Sequence, residues 1–202
     1  MKYMVYVFAA ILVPFVVFFG WISISILVRN KPVIIKSNRI SILLAFMLIP
    51  ISMINLFNGS IRVLGIWAFL SPITFLFILV FYAFILRGFS VYGISIEDFR
   101  KGMAAALDNI GIKYIEEIGK FRLPELDTEV TVNFQENLGT GIIRSKNKEK
   151  FNISYLKKAF STAINVNVVK TMKITGYFYI GFTLLMLCTI CFLLWLLITK
   201  TL

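Results

Sequence analysis

The chain has 202 residues, of which 59% are hydrophobic, and it carries 21 basic residues, 10 acidic residues and no histidine. Soluble globular domains are about 45–50% apolar, so this composition indicates a membrane protein rather than a soluble one. The missing histidine removes the commonest general base. The net charge of +11 is not gathered on an aromatic and basic platform, so we expect no nucleic-acid partner.

Four uncharged apolar runs are each long enough to cross a membrane, because about 20 helical residues span a hydrocarbon core of about 30 Å. They cover residues 3–28, 40–57, 63–86 and 174–198. Backbone polar groups must pair with one another in lipid, so we predict four transmembrane helices. Residues 1–87 then form a three-helix membrane region, and residues 171–202 contain the fourth helix.

The charged residues predict the orientation of these helices. All ten acids lie between Glu97 and Glu149. The loop at 29–39 and the segment 87–173 carry 18 basic residues, against three on the other side. Basic loops stay in the cytoplasm, so we predict that both termini are outside and that the central domain is cytoplasmic. The abundant Ile, Phe and Lys suggest a prokaryotic cytoplasmic membrane.

The basic residues of the first loop also predict a lipid contact. Anionic lipid head groups attract basic side chains that lie beside a membrane helix. We expect this contact at Arg29, Lys31, Lys36 and Arg39.

The predicted spans contain no ionisable side chain, which argues against an ion-coupled transporter. Of their few polar residues, Ser41, Ser52 and Asn55 fall close to one helical face, and Pro50 and Pro72 mark positions where a helix is able to kink. The candidate intramembrane polar groove consists of Ser41, Ser52, Asn55, Ser71 and Thr74.

Residues 88–170 have the pattern of a small cytoplasmic α+β domain between the third and fourth spans. Ser95 begins a helix as an N-cap, apolar residues follow at helical spacing, and Gly111 ends it. Short strand signals follow at 113–117, 120–123, 128–134 and 141–145. A second helix begins near Asn152. The expected fold is helix, antiparallel meander sheet of about four strands, helix.

The strand at 128–134 alternates between apolar and polar residues, so one of its faces is buried and the other is wet. We predict that the wet face docks a partner and that the strand at 141–145 is an edge strand beside it. The candidate docking residues are Glu129, Thr131, Asn133 and Gln135.

No motif predicts a reaction, a cofactor or a metal site, and Cys188 and Cys191 lie inside an apolar run, where they are expected to be packing residues. We therefore predict a non-catalytic subunit, adaptor or regulator with a protein partner or a homo-oligomeric state. The alternative is a transport or lipid-handling component that uses the groove between the helices.

Overall fold

The computed structural model describes residues 2–45, 65, 69–85, 88–147, 151–166 and 170–199. The chain forms two compact units. The first contains Met1–Gly20, Asn38–Ile85 and Ile180–Leu202, and the second contains Trp21–Ser37 and Leu86–Tyr179. Residues 37–45 are helical. The other described helices and strands, in chain order, are α1 (Lys2–Leu27), β1 (Val33–Lys36), α2 (Leu70–Ile85), β2 (Phe89–Tyr92), α3 (Ile96–Ile110), β3 (Ile115–Glu117), β4 (Lys120–Leu123), β5 (Thr128–Gln135), β6 (Thr140–Ser145), α4 (Ile153–Val166) and α5 (Lys173–Ile198).

Two of these helices, α1 and α5, are long and apolar enough to cross a membrane. The predicted run at 63–86 contains α2, which has 16 residues and is shorter than a full span. The predicted run at 40–57 lies outside the described residues beyond residue 45. Within the first unit α1 and α5 contact each other: the ring centroids of Phe19 and Phe182 are 5.8 Å apart.

Six strands of the described chain form one antiparallel sheet in the order β1-β2-β6-β5-β4-β3. The predicted meander corresponds to β3 through β6. The sheet exceeds the predicted four strands because β1 comes from the loop between the first two apolar runs and β2 follows the third run directly. Gly88, just before β2, allows the chain to approach β6 closely. A Cβ at this position would overlap the backbone carbonyl of Ile143.

The helices α3 and α4 cover one face of the sheet, and both begin with the predicted caps. The Ser95 hydroxyl accepts a hydrogen bond from the Asp98 amide, and the Asn152 side chain accepts one from the Ser154 amide. Gly111 ends α3 in the left-handed conformation. The two helices and the sheet enclose the core, whose most deeply buried members include Phe89, Val91, Ile94, Phe99, Met103, Leu107, Leu123, Val130, Ile143, Leu156 and Phe160.

Candidate docking face

The face of the sheet opposite α3 and α4 is divided into two halves. On β1 and β2 its side chains are buried: Val33 is 4% exposed, Ile35 2% and Ser90 4%. The ring of Tyr92 contacts the edge of the Tyr179 ring in α5, with centroids 5.7 Å apart. Burial raises the pKa of the Tyr92 hydroxyl. We call this half the covered half.

The first turn of α5 is joined to the sheet by polar contacts within the second unit. Thr175 Oγ1 donates a hydrogen bond of 2.6 Å to the carbonyl of Leu138, which lies in the turn between β5 and β6. Thr171 forms an isolated antiparallel bridge with Ile94, just beyond the end of β2. The start of α5 is therefore held both by the segment that follows β2 and by the β5–β6 turn.

The second half of this face, which we call the open face, is polar and charged. The strand register places its side chains next to one another across four strands. They are Ile115 and Glu117 of β3, Lys120 and Arg122 of β4, Glu129, Thr131, Asn133 and Gln135 of β5, and Thr140, Ile142 and Arg144 of β6. Lys146, just beyond β6, reaches the same face through its contact with Glu129.

Each of the two acids on the open face contacts two cations. The carboxylate of Glu117 lies 2.9 Å from Lys120 Nζ and 3.8 Å from an Arg122 guanidinium nitrogen. The carboxylate of Glu129 lies 2.8 Å from Lys146 Nζ and 3.8 Å from Lys120 Nζ. Hydrogen bonds from Lys120 and Lys146 hold the pKa of Glu117 and of Glu129, respectively, below the ordinary value.

Arg144 differs from the other cations of the open face. In the described part of the chain, no acid lies within ion-pair distance of its guanidinium. Its Nε is buried and has no hydrogen-bond partner there. The contact with its strand neighbour is through the backbone, where Thr131 Oγ1 donates to the Arg144 carbonyl at 3.4 Å. With four cations and two acids, the open face has a net charge of +2.

The four predicted docking residues all lie on the open face. Thr131, Asn133 and Gln135 are exposed, and Glu129 is half-buried. Gln135 Oε1 accepts a hydrogen bond of 3.3 Å from Thr140. Their role in docking stays a prediction. The prediction that 141–145 is an edge strand is wrong, because β6 pairs with β2 as well as with β5. The edges of the described sheet are β1 and β3.

The candidate polar groove is described only in part. Ser41 is 7% exposed, and Thr74 is exposed with its hydroxyl donating to the Leu70 carbonyl of its own helix at 2.7 Å. Ser71 belongs to α2, Ser52 and Asn55 lie outside the described residues, and the groove therefore stays a prediction.

An open cleft of about 660 Å³ adjoins the open face at the ends of β4 and β5. Charges of both signs line it. Its lining consists of Arg122, Leu123, Pro124, Asp127, Thr128, Glu129, Lys146 and Asn147. Among the described residues, no three His, Cys, Asp or Glu side chains lie close enough to hold a metal ion.

The basic residues of the open face are only partly predictable from the sequence. Lys120 and Arg122 alternate with the buried Phe121 and Leu123, and this short pattern indicates that both cations share a face. The sequence does not show that β4 lies beside Glu129 of β5, because the register between strands depends on tertiary structure.

Comparison with protein-family models, curated proteins and solved structures finds no significant match to the chain.

Proposed function

We propose that this chain is a multi-pass membrane protein with four spans, whose cytoplasmic domain docks a partner without catalysing a reaction. It would act as a subunit, an adaptor or a regulator of that partner. Support for the membrane location comes from α1 and α5, both of which have the length and composition of a span.

The pairing of β1 with β2 supports the proposed topology. Val33 pairs with Tyr92, and Lys36 pairs with Phe89. Strands that share a sheet lie on the same side of a membrane, so any crossings between residues 37 and 88 must be even in number. Two spans in that interval satisfy this condition, and the excess of basic residues assigns the shared side to the cytoplasm.

The observation that carries the docking proposal is the division of one sheet face into a covered half and an open half. The covered half contacts α5 through Tyr92 and Tyr179. The open half continues the same sheet with exposed Thr131, Asn133 and Gln135. A partner on the open face would therefore bind the half of the sheet that α5 leaves exposed.

Single-cysteine labelling tests the topology. In a chain with Cys188 and Cys191 replaced by serine, one cysteine is introduced in place of Lys31, Asn133 or Lys200. A membrane-impermeant maleimide added to intact cells should label position 200 and should reach positions 31 and 133 only after lysis. Labelling of positions 31 and 133 on opposite sides would contradict the four-span arrangement.

Site-specific photo-crosslinking in native membranes tests docking. A photoreactive residue at Asn133 of the open face is compared with one at Thr162, which is exposed on α4. Asn133 should give one discrete, stoichiometric protein adduct, and Thr162 should not. Equal adducts from both positions, or none from Asn133, would count against the open face as the docking surface.

A further inference from the structure

Arg144 differs from the other three cations of the open face, because no acid among the described residues pairs with it. The Nε of Arg144 is buried and has no hydrogen-bond partner among the described residues, so a partner's carboxylate would bind the terminal nitrogens of the guanidinium. The neighbouring acids Glu117 and Glu129 are each engaged by two cations. In the described part of the chain, Arg144 is the cation of the open face whose charge no acid pairs, so it is the position where an added carboxylate would form a new ion pair.

The surroundings of Arg144 favour a polypeptide over a lipid surface. The open face carries acids among its cations, and a polypeptide is able to place charges of either sign opposite them, whereas an anionic lipid surface offers one sign only. Asn133 and Gln135 provide amide donors and acceptors that match a peptide backbone. A segment with alternating acidic and polar residues would place a carboxylate at Arg144 and polar groups at Asn133 and Gln135.

We propose that the open face binds an acidic segment of a protein partner, and that Arg144 receives a carboxylate of that segment. This inference rests on the proposed function, because it names the class of the docked partner. Guanidinium and carboxylate form two parallel charge-assisted hydrogen bonds, which lysine is unable to reproduce.

The test uses the full-length protein in nanodiscs of phosphatidylcholine and two synthetic probes. One probe is a fluorescent peptide of alternating Glu and Thr, and the other is its Lys and Thr counterpart. Fluorescence anisotropy should show saturable binding of the acidic peptide and weaker or no binding of the basic one. The proteins compared are the natural chain, Arg144→Gln, Arg144→Lys and Lys101→Gln.

Arg144→Gln should weaken binding of the acidic peptide by at least about tenfold, since truncating one partner of a bound charge pair has an effect of that order. Arg144→Lys should recover only part of the affinity. Lys101→Gln removes the same charge from an exposed site on α3 and should leave binding nearly unchanged. An equal loss of affinity for the acidic peptide in Arg144→Gln and Lys101→Gln would show that binding depends only on the net charge of the protein, and this result would overturn the proposal.

A second arm separates the lipid explanation from failure of the docking function. A nitroxide at position 133 is compared in nanodiscs with and without phosphatidylglycerol. If the acidic peptide does not bind and the anionic lipid immobilises this label in an Arg144-dependent manner, the ligand is the membrane surface and the proposal is wrong. If neither probe acts while photo-crosslinking from Asn133 succeeds, the acidic-segment inference fails and the docking function stands.

Discussion

Ser23 Oγ donates a hydrogen bond of 2.6 Å to the carbonyl oxygen of Gly176, although 153 positions separate the two residues. Ser23 is 1% exposed, so the bond is shielded from water. It joins the last turns of α1 to the first turn of α5. Gly176 has no side chain, and Leu27 occupies the space beside its Cα. Because the two helix ends approach so closely here, the space beside Gly176 does not accommodate an added methyl group.

Gly176→Ala should therefore destabilise the second unit. The added Cβ would lie 2.5 Å from Leu27 Cγ, and overpacking of this kind costs about 1–3 kcal/mol. The measurement is a thermal unfolding curve in detergent, followed by circular dichroism. Gly181→Ala, on the same helix but with no atom within 4 Å of the new Cβ, should leave the transition unchanged. Similar transitions for the two variants would contradict the close packing at Gly176.

Thr175→Val should loosen the attachment of α5 to the sheet. Thr175 is fully buried, and its hydroxyl pairs with the Leu138 carbonyl. Removing the donor leaves that carbonyl unpaired and should cost about 1–3 kcal/mol. Hydrogen exchange should quicken in the β5–β6 turn. The matched control is Thr189→Val, because the Thr189 hydroxyl bonds within its own helix to Leu185 at 2.9 Å. If the β5–β6 turn of Thr175→Val exchanges its amide hydrogens as slowly as in the natural chain, this hydrogen bond does not stabilise the attachment of α5.

The carboxylates of Glu117 and Glu129 should make the domain less stable in acid. Their pKa is lower in the folded chain, mainly because Lys120 and Lys146 donate hydrogen bonds to them. The stabilisation is complete well above about pH 4.3, the ordinary glutamate value, and is lost as pH falls through the lower folded-state pKa.

Unfolding of the domain by urea, measured between pH 7 and pH 3, tests this expectation. The double variant Glu117→Gln/Glu129→Gln should show a smaller loss of stability in acid than the natural chain. Glu136→Gln removes one acid outside the ion-pair network and should keep the natural pH dependence. An identical acid loss in the double variant and the natural chain would show that these two groups do not cause it.

A fragment of residues 88–170 should associate with itself in solution. It lacks β1, so the backbone of β2 becomes an unpaired sheet edge, and such edges promote aggregation. Fusing residues 31–37 to its start through a flexible linker restores the β1–β2 pair. Size-exclusion chromatography should show less association for the fused fragment. A monomeric fragment 88–170 would indicate that the edge at β2 is protected without β1.

Local sequence signals account for the parts of the domain that were predicted correctly. Ser95 and Gly111 mark the ends of α3 because capping depends on neighbouring residues. Alternation in β5 identified the open face, with Val130 buried beneath it and Thr131 exposed.

Long-range pairing accounts for the parts that were not predicted. β1 has four residues, and its partner Tyr92 is far along the chain, so no local pattern marks it. Glu129 was predicted as a docking residue, and the strand pattern gave no sign that Lys146 would engage it. The boundaries at 87/88 and 170/171 stay predictions.

The pairing of β1 with β2 also affects folding during synthesis, because β1 is made well before its partner strand. Val33 leaves the ribosome 59 residues before its partner Tyr92, which corresponds to several seconds at about 5–20 residues per second. Through that interval a short apolar strand has no partner, and Lys31, Pro32 and Lys36 around it oppose association with other nascent chains. The contacts of α5 with the sheet form after every described strand has been made, so a chain that stops before Lys173 retains those strands and lacks the helix that covers them.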